Sequence, residues 1–336
     1  MYRYRGDCIL ERINPFRKIY DICDSGDSKD KYEHLPDFPR YIDIELTNYC
    51  NYKCLMCPVG TGTMKRVQGF MSKEVYDKLL NEIKDYKTSL RFIRWGEPTL
   101  HEDFIEYIKK AKNLGIMCHL NTNGSLLTED DLKSLVEIGL DSIKFSFQGI
   151  DEKSYSEMRN KNCFNDLINK IKRLYEIRGN NIYPYIHIAT TVTYENKENV
   201  YKFKKYTSQF ADLVTIGRTK LEHIDIEKSK LSKEEKEMFK YLKEQESLVK
   251  QHFKCCPEVF DKLSINWDGT VTACCGDYDN KMLIGDLKEN SLKEIWNSEK
   301  ADYYRKLLSQ KKYDEIGLCR YCYDYMELQT SGIQNI

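Results

Sequence analysis

Three cysteines near the start of the chain are spaced to bind an iron–sulfur cluster. Cys50, Cys54 and Cys57 are separated by three and two residues, and they follow a strand-like stretch at 41–46. Three thiolates can ligate three irons of a cubane cluster and leave the fourth iron without a protein ligand. A structural zinc site instead has four protein ligands, and an electron-transfer cluster has all its irons ligated by the protein. The spacing therefore predicts a cluster with one open iron, and a zinc loop is the alternative.

A second set of cysteines lies near the end of the chain. Its four members are Cys256, Cys274, Cys319 and Cys322. The dipeptide Asp268-Gly269 predicts a hairpin turn that brings the first two members together. Four thiolates suit a fully ligated cluster that transfers electrons, and a zinc ribbon is again the alternative. Cys255 or Cys275 could replace its neighbour as a ligand.

Repeated strands and helices must hold these cysteines in place. Apolar strand-like runs are predicted at 41–46, 90–95, 116–121, 142–148, 185–193 and 212–217. Amphipathic helices are predicted between them at 72–86, 102–113, 129–138, 164–177 and 195–209. Six βα units in a row indicate a parallel sheet. Their order alone leaves open whether that sheet is doubly wound or curved into a partial barrel.

Four segments are predicted along the chain. Residues 1–40 form an N-terminal extension that is too short for an independent binding domain. Residues 41–220 contain the α/β core, and residues 221–249 form a linker with one helix. Residues 250–330 form a small module of short strands and turns that carries the second set of cysteines.

The composition excludes several classes of partner and compartment. Lys plus Arg and Asp plus Glu are both 53, so the formal net charge is zero. Neither a nucleic acid nor a membrane is therefore expected as a partner. The N-terminus lacks the apolar run of a signal peptide. We expect a cytoplasmic protein, in which 13 cysteines indicate metal sites before disulfides.

The spacing of the first three cysteines, with Asn51 after Cys50, resembles the radical S-adenosylmethionine (radical SAM) superfamily. The resemblance implies a (β/α)6 partial barrel of the TIM type, with active-site residues at the C-terminal strand ends. It also implies that the methionine moiety of SAM chelates the open iron of a 4Fe–4S cluster. Reductive cleavage of SAM then gives a 5′-deoxyadenosyl radical that abstracts a hydrogen from the substrate. The residue before the third cysteine is usually aromatic in the family, and here it is Met56, which can still pack against adenine.

The same resemblance implies a set of SAM-binding residues. The segment 94–98, Arg-Trp-Gly-Glu-Pro, is similar to the family's Gly-Gly-Glu-Pro segment that holds the SAM ammonium group, with Trp in place of the first glycine. Thr-Asn-Gly at 122–124 and Ser in the fourth strand also match positions near SAM, and an arginine soon after can pair with the SAM carboxylate. The cofactor-binding residues implied are Gly96, Glu97, Asn123, Ser146 and Arg159. Ordinary turns and a surface arginine are the alternatives.

Polar residues on the inward faces of the predicted strands are candidates for catalysis. Lys144 and Gln148 alternate with apolar residues on the fourth strand, and His187 lies on the fifth. Gln148 stands where the family often has Asp, which removes one possible acid. A hydrogen-bonded structural histidine is the alternative for His187. Further candidates for substrate binding, without assigned roles, are Asp43, Glu45 and Arg218.

The C-terminal cysteines resemble a second family signature. Gly269 is followed after four residues by Cys274, as in the Gly-x4-Cys signature of SPASM and Twitch extensions of radical SAM enzymes. These modules bind auxiliary 4Fe–4S clusters. A full SPASM module would need several more cysteines after Cys322, and the sequence has none there. We therefore expect one auxiliary cluster, which is the Twitch pattern, with the four C-terminal cysteines as its ligands.

Two features of the sequence bear on the substrate. The leading hypothesis is a dehydrogenase or epimerase that acts on a carbon of a sugar, nucleotide sugar or cyclitol. It rests on the single auxiliary cluster, as in a Twitch-type aminocyclitol dehydrogenase, and on the lack of an N-terminal peptide-recognition domain. A peptide or protein maturase of the SPASM type is the first alternative, and a non-catalytic iron–sulfur or zinc protein is the second. The expected reductant is a flavodoxin- or ferredoxin-type protein.

Overall fold

The computed structural model describes residues 2–5, 9–227, 229, 231–247 and 256–322. In chain order, strands β1 to β11 span Tyr2–Arg5, Ile9–Arg12, Tyr41–Ile44, Ser89–Phe92, Cys118–Thr122, Ser142–Ser146, Tyr185–Val192, Leu213–Arg218, Lys262–Ile265, Thr270–Thr272 and Leu283–Asp286. Helices α1 to α13 span Arg17–Cys23, Ser28–Glu33, Pro58–Thr61, Lys73–Ile83, Phe104–Asn113, Glu129–Glu137, Glu152–Arg159, Phe164–Arg178, Lys197–Thr207, Lys233–Ser247, Glu258–Asp261, Leu292–Trp296 and Glu299–Ser309. Short 3₁₀ turns lie at Pro98–Leu100, Tyr313–Glu315 and Cys319–Tyr321.

The main sheet has nine strands in the order β11-β10-β9-β3-β4-β5-β6-β7-β8. Strands β3 to β8 are neighbours in chain order and pair in parallel. A doubly wound sheet reverses its strand order at a switch point, and no such reversal occurs from β3 to β8. Each crossover within these six strands therefore steps in the same direction, which places their helices on one face of a curved sheet. This confirms the predicted partial barrel, and β8 and β11 remain as its open edges among the described strands.

The two faces of the barrel strands differ in polarity. Ile42, Phe92 and Phe145 are fully buried against the helices. The alternate residues face the interior, where Asp43 pairs in register with Arg91 and Arg91 with His119. Lys144 pairs in the same way with His187. Because register partners of parallel strands point to the same face, these polar side chains all face the cavity, where they lie in two successive rows.

The helices begin where the sequence supplies capping side chains. The Ser72 hydroxyl accepts a hydrogen bond from the amide of Val75 at the start of α4. At the start of α6, Thr128 and Asp131 form a reciprocal capping box. These contacts satisfy amide groups that have no partner within the helix. None of the described helices combines the length and the apolar composition needed to cross a membrane.

The N-terminal extension packs against inward-facing residues of β4 and β5 in the barrel. Phe16 is fully buried, and its ring packs edge-on against the ring of His119 with the centroids 5.8 Å apart. Arg91 in β4 donates a hydrogen bond of 3.4 Å to the Tyr20 hydroxyl. Farther along, Lys31 forms a buried ion pair of 2.5 Å with Asp261 of the C-terminal module. The extension is therefore packed into the molecule rather than appended to it.

The C-terminal module continues the sheet of the barrel. Strand β9 pairs in parallel with β3, and it turns at Asp268-Gly269 into the antiparallel β10. Gly269 has φ +89°, a conformation that favours glycine, and the hairpin is the one predicted from the sequence. The expected boundary near residue 250 lies outside the described residues. A shared sheet means that the barrel and the module are held together by backbone hydrogen bonds.

The segment that the sequence predicted as a linker also packs against the site. Phe239 of α10 is fully buried in a small core with Leu221 and with Met158 of α7. Leu55 and Met56 of the first cysteine loop are packed against that core. The residues between the barrel and the module therefore help to support the cysteine loop.

Candidate active site

The loop of Cys50, Cys54 and Cys57 follows directly on β3, and local hydrogen bonds fix its path. The Thr47 hydroxyl donates to the Gly69 carbonyl over 2.7 Å, and the Asn48 amide donates to the Val67 carbonyl over 2.8 Å. The loop ends where Cys57 becomes the N-cap of α3. A side chain at Gly60 would place its Cβ 2.3 Å from the Cys54 carbonyl oxygen, so glycine is required for this close approach.

The three sulfurs converge in a buried environment. Burial raises the pKa of the Cys50 thiol to about 12, the Tyr52 amide opposes this rise, and the charges of Glu97, Cys54 and Cys57 add to it. Burial likewise raises the pKa of Cys57, and Cys54 adds to that rise. The Tyr52 amide lies 3.4 Å from the Cys50 sulfur, and Arg159 Nη1 lies 3.5 Å from the Cys54 sulfur. Buried thiols this close together lose their protons only when a metal binds them, and the neighbouring N–H donors would then stabilise the thiolates.

Gly96 and Glu97, at the end of β4, lie directly against this loop. A Cβ on Gly96 would stand 2.3 Å from the Thr47 carbonyl oxygen, and the residue has φ +93°, so only glycine fits. The Glu97 amide donates to the Tyr49 carbonyl over 2.8 Å. The Glu97 side chain is 2% exposed, and burial raises the pKa of its carboxyl although hydrogen bonds oppose the rise.

The Glu97 carboxylate joins the ends of β4 and β5. Its Oε1 accepts from the hydroxyls of Thr99 and Thr122 over 2.7 and 2.6 Å, and its Oε2 accepts from the Asn123 amide over 2.7 Å. Oε2 therefore retains acceptor capacity. A buried carboxylate with one free acceptor position can accept a hydrogen bond from an ammonium group, and the role of Glu97 in holding SAM stays a prediction.

Asn123 acts through Asn51. Its side-chain amide donates to Asn51 Oδ1 over 2.9 Å, and the amide of Asn51 donates to the Ser125 hydroxyl over 2.8 Å. Asn123 Oδ1 accepts in turn from the Ser125 hydroxyl over 2.7 Å. This ring of hydrogen bonds ties the cysteine loop to the end of β5, so in this structure Asn123 positions the loop.

Arg159 reaches the site from the end of α7. Its Nη2 donates to the carbonyls of Ser146 and Phe147 over 2.6 and 3.1 Å. Its Nε is buried and has no partner within the described residues. The Ser146 hydroxyl donates weakly to Asn121 Oδ1 over 3.4 Å. An unsatisfied guanidinium donor beside the cysteine loop fits the carboxylate of a bound ligand.

The C-terminal cysteines converge in the same manner. Burial raises the pKa of Cys256 well above its usual range, and Glu258, Cys319 and Cys322 add to the rise. Burial raises the pKa of Cys319 to about 12, with Cys322 and Glu258 adding to it. The pKa of Cys274 is raised mainly by its hydrogen bond with the Cys275 thiol and next by burial, and the charge of Cys256 adds to the rise. The four predicted ligands therefore interact with one another.

The arrangement supports Cys274 over its neighbour as a ligand. The Gly276 amide donates to the Cys274 sulfur over 3.3 Å. The Cys275 thiol affects the pKa values of Lys144 and Lys262, which lie in the barrel interior. Cys255 lies outside the described residues. Within the part of the chain that is described, no three His, Cys, Asp or Glu side chains are arranged to bind one metal ion, and a cubane cluster does not require this because each thiolate binds a different iron.

Asp43 and Glu45 are neutralised by ion pairs. Arg91 donates twice to Asp43 over 2.6 and 2.8 Å, and Lys262 donates to it over 2.9 Å. Although burial opposes ionisation, these cations lower the pKa of Asp43. Arg66 donates twice to Glu45 over 2.8 and 2.6 Å. Their carboxylates are thus engaged within the protein, whereas Arg218 is exposed at the end of β8.

The three catalytic candidates have different surroundings. Gln148 is 2% exposed, and its amide bonds to the Thr191 carbonyl over 3.0 Å and to Thr219 Oγ1 over 2.5 Å. His187 Nε2 lies 2.8 Å from the Thr215 hydroxyl. Burial lowers the pKa of His187 to about 4, and the positive charge of Lys144 adds to this effect. Among these three, only Lys144 has a side chain without a hydrogen bond or ion pair to the described residues.

Lys144 is therefore the candidate best placed to contact a substrate. Burial lowers the pKa of Lys144 to about 8, and Arg91 adds to this effect. An amine that titrates near neutral pH in a cavity can donate or accept a proton.

The roles of several residues of the site were not predicted from the sequence. Arg94 connects the two cysteine sites, Asn51 connects the first loop to β5, and Glu258 lies beside three of the C-terminal cysteines. Asn51 carried a usable signal, since it directly follows Cys50. Arg94 and Glu258 carried none, because their contacts join residues far apart in the chain.

The sequence matches two known families. Residues 44–206 match the radical SAM superfamily, and residues 255–323 match SPASM, an iron–sulfur cluster-binding domain. Together these matches cover both cysteine sites and the strands between them.

Two curated relatives and one solved structure resemble the chain. The tungsten-containing aldehyde ferredoxin oxidoreductase cofactor-modifying protein of Pyrococcus furiosus is 25% identical over 316 residues, 83% of this chain and 87% of that protein. The PqqA peptide cyclase of Bradyrhizobium diazoefficiens is 30% identical over 116 residues, 34% of this chain and 30% of that protein. Streptococcus suis SuiB bound to the precursor peptide SuiA superposes with a TM-score of 0.63 at 16% identity, covering 96% of this chain and 79% of that one.

Proposed function

Because the chain belongs to the radical SAM superfamily and carries a C-terminal SPASM domain, we propose that it is a maturase that modifies a peptide or protein. Its cofactors are SAM and 4Fe–4S clusters. When bound, they supply a 5′-deoxyadenosyl radical that removes a hydrogen atom from the substrate. The observation that carries the proposal is the pair of cysteine sites at one end of the barrel, joined through the segment 94–97.

Different residues of the chain would hold the first cluster, SAM and the auxiliary cluster. Cys50, Cys54 and Cys57 would hold the cluster that leaves one iron open. Glu97 Oε2 offers an acceptor for the SAM ammonium group, and Arg159 Nε offers a donor for its carboxylate. The four C-terminal cysteines would hold the auxiliary cluster.

The shape of the cavity supports a substrate larger than a simple metabolite. On the β3 to β5 side, Asp43 and His119 face the interior and are 1% and 6% exposed. On the opposite side, Leu213 in β8 is 36% exposed, and Thr215 and Gly217 on the same face are exposed as well. Among the described residues, the cavity therefore opens sideways at β8, where an extended chain can enter.

The relatives support this proposal over the sugar chemistry expected from the sequence. The Pyrococcus protein is named for modifying a cofactor and the Bradyrhizobium protein for cyclising a peptide. The oxidation or epimerisation of a sugar, nucleotide sugar or cyclitol thus has less support than the maturase alternative.

The substrate class can be tested by following hydrogen transfer into 5′-deoxyadenosine. The anaerobically reconstituted protein would receive SAM and dithionite with pools of a randomised peptide library built from deuterated amino acids. A parallel arm would receive deuterated nucleotide sugars and cyclitols, and Cys50→Ala/Cys54→Ala/Cys57→Ala would serve as the control in both arms.

Mass spectrometry distinguishes the outcomes. The proposal predicts that particular peptide pools stimulate 5′-deoxyadenosine formation and transfer deuterium into it, and that the control variant forms none. Stimulation and deuterium transfer from a sugar or cyclitol, with no response to any peptide pool, would contradict the maturase proposal and restore the dehydrogenase hypothesis.

A further inference from the structure

One short segment contacts both cysteine sites. At its C-terminal end, the Glu97 amide donates to the Tyr49 carbonyl, and Gly96 lies against the Thr47 carbonyl. At its N-terminal end, Arg94 Nη1 donates to the Cys274 carbonyl over 3.3 Å, and Nη2 donates to the Asp277 carbonyl over 3.0 Å. The segment 94–97 is therefore a direct structural link between the first cysteine loop and residues 273–282, the loop between β10 and β11 that carries Cys274 and is called the auxiliary loop below.

Arg94 carries a positive charge that no carboxylate within the described residues neutralises. Its remaining hydrogen bond, of 2.9 Å, goes from Nη2 to the amide oxygen of Asn266, and its Nε is buried without a partner among the described residues. Arg66 also reaches this loop, since its Nε donates to the Tyr278 carbonyl over 2.8 Å, but it is paired with Glu45. Of these two arginines near the auxiliary loop, Arg94 is thus the one without a carboxylate partner among the described residues, and it contacts Cys274 through the backbone carbonyl.

The backbone of Arg94 is strained. Its φ is +120°, in the region that L-residues rarely adopt, and such a conformation costs about 1–3 kcal/mol. Glycine would adopt this φ without strain, so the backbone alone does not account for an arginine here. The contacts of the side chain with the auxiliary loop give the arginine a reason to be present.

We propose that Arg94 is a positioning residue that couples the auxiliary cluster to the SAM site and makes that cluster easier to reduce. Its hydrogen bonds hold the backbone of Cys274 and Asp277 at a fixed place relative to the segment that contacts the first cysteine loop. Its half-buried cation stabilises the negative charge that a cluster gains on reduction. The proposal rests on the auxiliary cluster and is independent of the substrate class.

Arg94→Met tests the proposal through the midpoint potential of the auxiliary cluster. The full-length reconstituted protein would be titrated anaerobically and followed by electron paramagnetic resonance, with the auxiliary signal identified by its loss in Cys256→Ala. Removal of the charge should lower the reduction equilibrium constant about tenfold, which is about 59 mV for a one-electron couple. Iron content and visible absorption would establish that the cluster is still bound.

Two further variants separate charge from structure. Lys281→Met removes an exposed cation from the same loop, beside the ring of Tyr278, and solvent screening should leave the potential close to that of the wild type. Arg94→Lys keeps the charge and loses the forked geometry, so its potential should stay nearer to the wild type than to Arg94→Met.

The results can overturn the proposal in two ways. A potential for Arg94→Met equal to that of Lys281→Met, with the cluster bound, would show that the charge of Arg94 does not act on the cluster. If Arg94→Met does not retain the cluster, the midpoint potential of Arg94→Lys is measured instead. An Arg94→Lys variant that retains the cluster with a potential near that of the wild type supports the proposal. A potential of Arg94→Lys well below that of the wild type contradicts it.

Discussion

The two cysteine sites are built in different ways. The first lies in one continuous loop after β3, and its three cysteines are fixed by hydrogen bonds within residues 47–69 and by the ends of β4 and β5. The second is assembled from three separate parts of the chain, which pack together through the shared sheet and the C-terminal helices. Beside the first site, Glu97 Oε2 retains acceptor capacity and Arg159 Nε has no partner among the described residues, whereas the second site brings four cysteines together. We infer from this difference that the first site binds a ligand and that the second carries an electron.

The largest effect should come from removing the first site. Cys50→Ala/Cys54→Ala/Cys57→Ala should reduce 5′-deoxyadenosine formation to the level without protein, because no other described group can present an open iron to SAM. The auxiliary cluster should remain, since its ligands come from other segments. Iron analysis and chromatography of 5′-deoxyadenosine check both statements. Loss of both clusters together would mean that the two sites do not fold independently.

Removing the second site should separate SAM cleavage from product formation. Cys256→Ala should lose the auxiliary cluster and still form 5′-deoxyadenosine at a rate within about tenfold of the wild type, because the SAM-binding residues are untouched. Modified substrate should no longer accumulate. Parallel quantification of 5′-deoxyadenosine and product measures the ratio, and an unchanged ratio would contradict an electron-transfer role for the second site.

Gly96→Ala should disturb the first site without removing a ligand. The added Cβ would stand 2.3 Å from the Thr47 oxygen, and φ +93° is unfavourable for alanine. We expect a loss of about 1–3 kcal/mol in the free energy of unfolding and weaker SAM binding. Gly139→Ala is the matched control, because φ is also positive there and no atom lies within 4 Å of the new Cβ. Equal SAM affinities in the two variants would show that the close approach at Gly96 is unimportant.

The smallest effect should come from Lys144→Met, in the cavity. Burial lowers the pKa of Lys144 to about 8, whereas an unfolded lysine titrates near ~10.4. Between these values the folded protein binds fewer protons than the unfolded chain, so its stability rises with pH, and the cost of the charged amine is fully present below about pH 8. Lys144→Met should thus be more stable than the wild type at pH 7, by about 1–3 kcal/mol.

Urea unfolding at pH 7 and at about pH 9.5 tests the sign of this effect. The advantage of the variant should shrink at the higher pH, because the wild type has by then lost the proton. Exposed Lys281→Met should change stability by less than about 0.5 kcal/mol at either pH. An advantage that is equal at both pH values would show that the lysine charge carries no cost.

The sequence predicted those features that depend on local pattern. The structure shows the predicted alternation of buried and half-buried residues along Ser142–Ser146. It also shows the predicted hairpin turn at Asp268-Gly269, and the closely spaced Cys50, Cys54 and Cys57 lie in one loop. Each of these signals is contained within a few residues, so no knowledge of the distant chain was needed.

Features that depend on long-range pairing could not be predicted. Nothing in residues 262–265 indicates that β9 pairs with β3, which makes the C-terminal module part of the barrel sheet. Asp43 looked available for a substrate, and its partners Arg91 and Lys262 lie 48 and 219 residues away in the chain. Gln148 likewise uses its amide within the protein. Such contacts become visible only once the fold is known.

The most direct test of the difference between the two sites is electron paramagnetic resonance of the dithionite-reduced protein with and without SAM. We expect SAM to change the signal of Cys256→Ala, which retains only the first cluster. SAM should leave the signal of Cys50→Ala/Cys54→Ala/Cys57→Ala, which retains only the auxiliary cluster, unchanged. A SAM-dependent change in the second variant, or none in the first, would contradict the assignment of an open site to the N-terminal loop and a closed one to the C-terminal module.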